Sequence, residues 1–112
     1  MSITYNRKTD KMIDFIKNLF KRVDYAQLVN DGAIIVDVRT KGEYQQGSVK
    51  GSINIPLSNL QNSLSRLNKN KTIITCCASG MRSGSAKRIL KSRGYEEVYN
   101  GGSWASLQYK VN

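Results

Sequence analysis

The segment Cys77-Ala78-Ser79-Gly80-Met81-Arg82 follows directly on the apolar run Ile73-Ile74-Thr75-Cys76. That spacing puts a thiol at the carboxyl end of a strand, on a short glycine-containing loop that feeds a helix. In open parallel sheets this is where ligands and nucleophiles sit. The backbone N–H groups of such a loop, with the positive end of a helix behind them, surround an anion and stabilise a thiolate equally well. A cysteine so placed beside an arginine has its pKa lowered by roughly one to several units. The pattern predicts a reactive Cys77 that needs no imidazole base.

None is available, because the chain has no histidine. Serine or cysteine catalysis by an imidazole base is therefore excluded within this chain, and a conventional zinc site is disfavoured. The two cysteines are adjacent, and neighbours in a strand point to opposite faces, so they are not expected to form a structural staple. No disulfide framework can be built, which favours a reducing, cytoplasmic setting. Cys76 is expected to be a small buried hydrophobe, since no loop lies behind it to ionise it.

The net charge is +10, but its distribution is more informative than its total. Between Tyr44 and Tyr95 there is no acidic residue, whereas Lys50, Arg66, Lys69, Lys71, Arg82, Lys87, Arg88, Lys91 and Arg93 all fall there. Positive potential around the cysteine loop is expected, lowering the thiol pKa and attracting small anions. A basic chain can also bind nucleic acid, yet no basic patch interleaved with aromatics and no groove-reading motif is present. No stretch approaches transmembrane length.

These residues need elements to position them. Apolar residues at 12, 13, 15, 16, 19 and 20 predict an amphipathic helix, so residues 1–22 are assigned to a helical extension packed on a domain spanning 23–112. Asp24 is placed to cap a short helix carrying Leu28 and Val29. Ala33 to Val38 is a β-branched run suited to a strand buried on both faces, with Asp37 as a charge that needs a partner. The glycine-bearing stretch after Arg39 predicts a loop, and Ile53-Asn54-Ile55 a brief second strand. Ser58 and Gln61 have capping-box spacing, predicting a helix to Leu67 with Leu57, Leu60, Leu64 and Leu67 on one face. Thr72 to Cys77 is the third strand, the helix after the loop ends at Gly94, and Val98-Tyr99 adds a short strand. The alternation predicts an α/β fold with a mainly parallel sheet of about four to five strands and helices on both faces.

Ile35-Val36-Asp37-Val38-Arg39 with Glu43-Tyr44, then Gly47 to Pro56, the loop from Cys77 to Ser83, and Gly101-Gly102 together resemble the rhodanese family over about residues 24 to 104. The resemblance implies a single rhodanese-like domain acting as a sulfurtransferase without cofactor or metal. In it Cys77 carries a sulfane sulfur as a persulfide from an anionic donor (thiosulfate, polysulfide or a protein persulfide) to a thiophilic acceptor such as cyanide, glutathione or a protein thiol. It implies that the amides of Ala78, Ser79, Gly80, Met81 and Arg82 cradle the sulfur and its donor. Arg82 would fix the loop and add charge, while Asp37, Arg39 and Ser83 support it and Glu43 helps hold the same region. A monomer binding neither nucleic acid nor membrane is expected. The chain departs from the family at Ser48, where many members carry a histidine, at Trp104, closer to the glycine pair than usual, and at Gly84 in the helix after the loop.

Two other readings stay open from the residues alone. Counting from Cys76 gives Cys76-x5-Arg82, the spacing of cysteine-dependent phosphatases and some arsenate reductases, although no acid lies between Arg82 and Glu96 to protonate a leaving group. A non-catalytic binding or redox-sensing module, with Cys76 as resolving thiol, is the other.

Overall fold

The β-branched runs form the two central strands of the sheet. The computed structural model of the chain describes residues 22–112, and the expected amino-terminal helix over residues 12–20 lies outside the described residues. Strands β1 (Ile34–Asp37), β2 (Ile53–Asn54), β3 (Ile73–Cys77) and β4 (Val98–Ser103) are all parallel, in the order β2-β1-β3-β4. The expected α/β sheet is thus four strands wide.

Alternation along the strands divides the core in two. Val36, Val38, Ile73 and Cys77 face a layer made by Leu60, Leu67, Ala86, Leu90 and Tyr95, which come from the 57–67 segment, helix α3 (Met81–Ser92) and the chain after it. Ile35, Ile74 and Cys76 face the other way, against Leu28 and Val29 of helix α1 (Tyr25–Asn30) and Leu107 of helix α4 (Trp104–Val111). Both faces of β3 are therefore covered, and all five of its residues are buried. Asp24 caps α1 by accepting from the Gln27 N–H at 3.0 Å, as its position predicts.

Three segments differ from expectation. The polar stretch after Arg39 contains a real helix, α2 (Lys41–Gln45), held by a capping box in which the Thr40 hydroxyl accepts from the Glu43 N–H and the Glu43 carboxylate accepts from the Thr40 N–H. The expected helix from Ser58 to Leu67 is instead two 3₁₀ segments, Leu57–Asn62 and Leu64–Arg66, and no side chain caps either. Its leucines fall at 57 and 60, then 64 and 67, an i,i+3 spacing that suits 3₁₀ turns, and the Tyr95 hydroxyl donates to the carbonyls of Leu64 and Leu67. The last strand continues past Tyr99 through a bulge into α4, which sequence reasoning did not foresee.

The bulge matters to the site. Thr75 pairs with Asn100 but Cys77 with Ser103, so β4 carries one extra residue beside the end of β3. Gly101 lies so close to β3 that a Cβ would sit 2.9 Å from both Ile74 Cγ2 and the Thr75 carbonyl oxygen, and Gly102 turns the chain at φ +79°.

Candidate active site

Cys77 is the last residue of β3, and the chain leaves it through exposed Ala78 and Ser79 to Gly80, the residue preceding α3. Gly80 has φ +101°, which returns the backbone over the sulfur and suits glycine. Its N–H donates to Cys77 Sγ at 3.0 Å and that of Ser83 at 3.4 Å, while Ser83 Oγ lies 3.4 Å from the sulfur. Burial pushes the Cys77 thiol up, but the Ser83 hydroxyl and the amides of Ser83, Gly80 and Ser79 outweigh it, leaving the pKa below the ordinary thiol value. Cys77 is fully buried, between this loop and the core layer beneath it. Of the five loop residues expected to cradle the sulfur, Ser79 and Gly80 aim amides at it; Met81 forms an exposed lip, 79% accessible.

Cys76 is the opposite case. It is buried among Ile35, Val49, Ile74 and Leu107 on the far face. Burial, reinforced by the Asp37 carboxylate, pushes its pKa up to about 12. A nucleophile at Cys76 paired with Arg82 is therefore not favoured, and neither is a resolving role, because the two sulfurs sit on opposite sides of the strand. Alkylation at neutral pH, followed by peptide mapping, is expected to label Cys77 well ahead of Cys76. Equal labelling would contradict the assigned difference in ionisation.

Arg82 is paired across the site: its two terminal nitrogens reach the Glu43 carboxylate at 2.7 and 2.9 Å. The Arg82 guanidinium and the Thr40 N–H hold Glu43 down to about 2, so the pair is formed above the ordinary carboxylate range and lost only as pH falls through that value. The cation at the end of the loop is therefore a paired one.

Asp37 and Arg39 stand one step further back. Asp37 is wholly buried at the end of β1 and takes the Arg39 guanidinium through Nε at 3.0 Å and Nη2 at 2.7 Å. The same guanidinium donates to the carbonyls of Glu43 and Gly47 and lies 4.7 Å from the centroid of the Trp104 ring. Trp104 in turn fills the space beside Gly47, where a Cβ would come within 2.9 Å of its ring. This stack anchors α2, α2 presents Glu43, and Glu43 holds Arg82. Asp37 and Arg39 therefore reach the loop indirectly.

Sequence reasoning missed Asn100. Its Oδ1 lies 2.6 Å from Ser83 Oγ and accepts from the Gly102 N–H, and its Nδ2 donates to the Gly80 carbonyl at 3.1 Å. No local signal could have found it, because its partners lie 17 and 20 residues away. Thr75 was also unforeseen; its hydroxyl donates to the Ser83 carbonyl at 2.9 Å. Beside the loop runs an open groove of about 370 Å³ floored by Val38, Pro56 and Leu57 and edged by Thr40, Ser58 and Arg82. Among the described residues no cluster of three or more histidine, cysteine or acidic side chains could hold a metal ion, and no helix is long and apolar enough to cross a membrane.

Comparison with known proteins agrees with this fold. A family model described as a rhodanese-like domain matches residues 22–106. The chain is 42% identical over 69 residues to the thiosulfate sulfurtransferase PspE of Escherichia coli K12, a match covering 60% of this chain and 66%, just under two thirds, of that protein. It is 30% identical over 84 residues to the thiosulfate sulfurtransferase GlpE of Pseudomonas fluorescens, covering 72% of this chain and 77% of the relative. Among solved structures it is similar to a rhodanese with anions from E. coli, at a TM-score of 0.64 and 38% identity over 67% of this chain and 91% of that one.

Proposed function

Because the chain belongs to the rhodanese-like domain family, we propose that it is a sulfurtransferase in which Cys77 cycles between thiolate and persulfide. The observation that carries the reading is the Cys77 sulfur itself, met by the Gly80 and Ser83 amides at the carboxyl end of β3. With thiosulfate as donor, the thiolate attacks the outer sulfur, a new S–S bond forms, and the donor S–S bond breaks with its electron pair leaving on sulfite. Charge is conserved, and the leaving group departs as an anion. No general acid is needed, which fits a chain without histidine.

In the second half-reaction an acceptor nucleophile attacks the terminal sulfur and returns Cys77 to the thiolate. Throughout, negative charge stays within the ring of amides: on Sγ before transfer, on the terminal sulfur after it. Ala78, Ser79 and Gly80 form the wall of that ring, with Met81 and Arg82 at its mouth, and the groove over Val38, Pro56 and Leu57 gives donor and acceptor their approach. The free thiols belong in a reducing compartment, so a cytoplasmic setting is part of the same reading.

The test is thiocyanate production from thiosulfate and cyanide by the purified protein. Turnover well above that of the free reagents is expected; none, with several donors tried, would overturn the reading. Glu43 offers a finer check. Freed from its carboxylate, Arg82 faces an anionic donor without competition, so Glu43→Gln is expected to lower the KM for thiosulfate by roughly two- to fivefold. An unchanged KM would mean that Arg82 serves only to hold the loop.

A further inference from the structure

Hydrogen bookkeeping around Asn100 leads one step beyond sulfur transfer, on the premise that Cys77 is the sulfur carrier. The Gly80 carbonyl can only accept and the Gly102 N–H can only donate, so the Asn100 amide has one orientation: Nδ2 toward Gly80 at 3.1 Å and Oδ1 toward Gly102 at 3.0 Å. Oδ1 carries no hydrogen. Its 2.6 Å contact with Ser83 Oγ therefore uses the single Ser83 hydroxyl hydrogen. Ser83 Oγ lies 3.4 Å from Cys77 Sγ, and the hydrogen in that contact must be the thiol's own.

The thiol form is thus a chain, Cys77 S–H to Ser83 O–H to Asn100 Oδ1. Ionisation breaks it. Once the thiol proton leaves to solvent, the Ser83 backbone N–H still donates to the sulfur, but no hydrogen remains between the sulfur and Ser83 Oγ unless the hydroxyl turns from Asn100 toward the sulfur. Asn100 Oδ1 then keeps only the Gly102 N–H.

We propose that Asn100 is a positioning residue that directs the Ser83 hydroxyl, holding it away from Cys77 in the resting thiol and yielding it when the thiolate forms. When sulfur is loaded, the charge moves to the terminal sulfur, Sγ becomes a neutral sulfide, and the hydroxyl turns back to Asn100. Only an O–H bond rotates; no proton passes between Ser83 and its neighbours. The surroundings are built for this. Ser83 is wholly buried and its backbone is pinned by Thr75, so its hydroxyl is left to choose between Asn100 and Cys77. The glycine at 84 clears the amide's place, since a Cβ there would sit 3.3 Å from Asn100 Nδ2.

The titratable and charged groups around Cys77 are Arg82 on α3, Glu43 of α2 paired with it, the Asp37–Arg39 pair at the end of β1, and the Cys76 thiol on β3. All of them stay in place in the variants that test the proposal. The measurement is the pH dependence of Cys77 alkylation by iodoacetamide, followed by peptide mapping, in wild type, Ser83→Ala, Asn100→Leu and the double variant, with Asn100→Ala run in parallel in case the leucine does not fold. Losing Asn100 also releases the Gly80 carbonyl, and the cycle subtracts that effect. With Ser83 present, loss of Asn100 is expected to shift the Cys77 pKa downward, relative to the same change in the Ser83→Ala background, by roughly 0.5 to 1 unit, the size of one redirected hydrogen bond. Equal shifts in both backgrounds, or a relative upward shift, would overturn the proposal. Sulfur loading of the same proteins is scored separately: loading with a null cycle removes only the role of Asn100, and a positive cycle without loading removes only sulfur transfer.

Discussion

Cys77→Ser is expected to bring thiocyanate formation down to background, and Cys76→Ser to retain most of it. The contrast follows from the strand. Adjacent residues of β3 face opposite layers, so one sulfur receives the loop amides and the other is enclosed by aliphatic side chains. A serine at 77 would keep the hydrogen bonds to Gly80 and Ser83 but offers an alkoxide-forming oxygen that is scarcely ionised at neutral pH, and no sulfur on which to carry sulfur. A serine at 76 places a hydroxyl in a dry layer beside Asp37; its cost falls on stability rather than on chemistry. If the second change proved the fatal one, the loop would have to be counted from Cys76 and the assignment of the nucleophile would fail.

Arg39→Met is expected to give the largest loss of stability of any single change outside the apolar core. It strands the Asp37 carboxylate at 0% exposure, with the Arg39 backbone N–H as the remaining donor to its side chain. Breaking a buried pair in this way costs about 3–5 kcal/mol, which for a domain of this size lowers the midpoint of thermal unfolding by on the order of 15 °C or more. The loss propagates toward the site, because the same guanidinium holds the Glu43 and Gly47 carbonyls, and Glu43 holds Arg82. Adding Asp37→Val to Arg39→Met removes the stranded charge, so the double variant should recover much of the stability while α2 stays loosened. Thermal unfolding followed by circular dichroism checks both. A loss below about 1 kcal/mol for Arg39→Met would show that water or another group satisfies Asp37, and that the pair is not the anchor described.

What the sequence made legible, and what it did not, divides along the range of the interactions. Ile34 to Asp37 and Ile73 to Cys77 announce themselves as strands because both faces are buried and the residues are β-branched. The cysteine loop is equally plain, since strand, glycine and helix follow one another without interruption. Helix α2 was hidden by Gly42 and its polar composition, although Thr40 and Glu43 stand at capping-box spacing and were there to be read. The leucines at 57, 60, 64 and 67 looked α-helical because an i,i+3 pair belongs to both helix types. Only their packing against α3 and Tyr95 separates the two.

The site's supporting contacts were less accessible still. Arg82 meets Glu43 across 39 residues, and Asn100, just before the bulge of β4, meets Ser83 across 17. No periodicity encodes such meetings; they exist once the parallel sheet brings the carboxyl ends of its strands together. Trp104 illustrates the same point. Its closeness to the glycine pair looked like a departure from pattern, but α4 begins there, and its ring covers Arg39 and the Gly47 backbone.

The most direct test of the account is the mass of the protein after incubation with thiosulfate or polysulfide in the absence of reductant, with the Cys76-Cys77 peptide mapped afterwards. One added sulfur atom on Cys77, removed by cyanide, is the result predicted. An added sulfur on Cys76, or none on either cysteine with any donor, would contradict it.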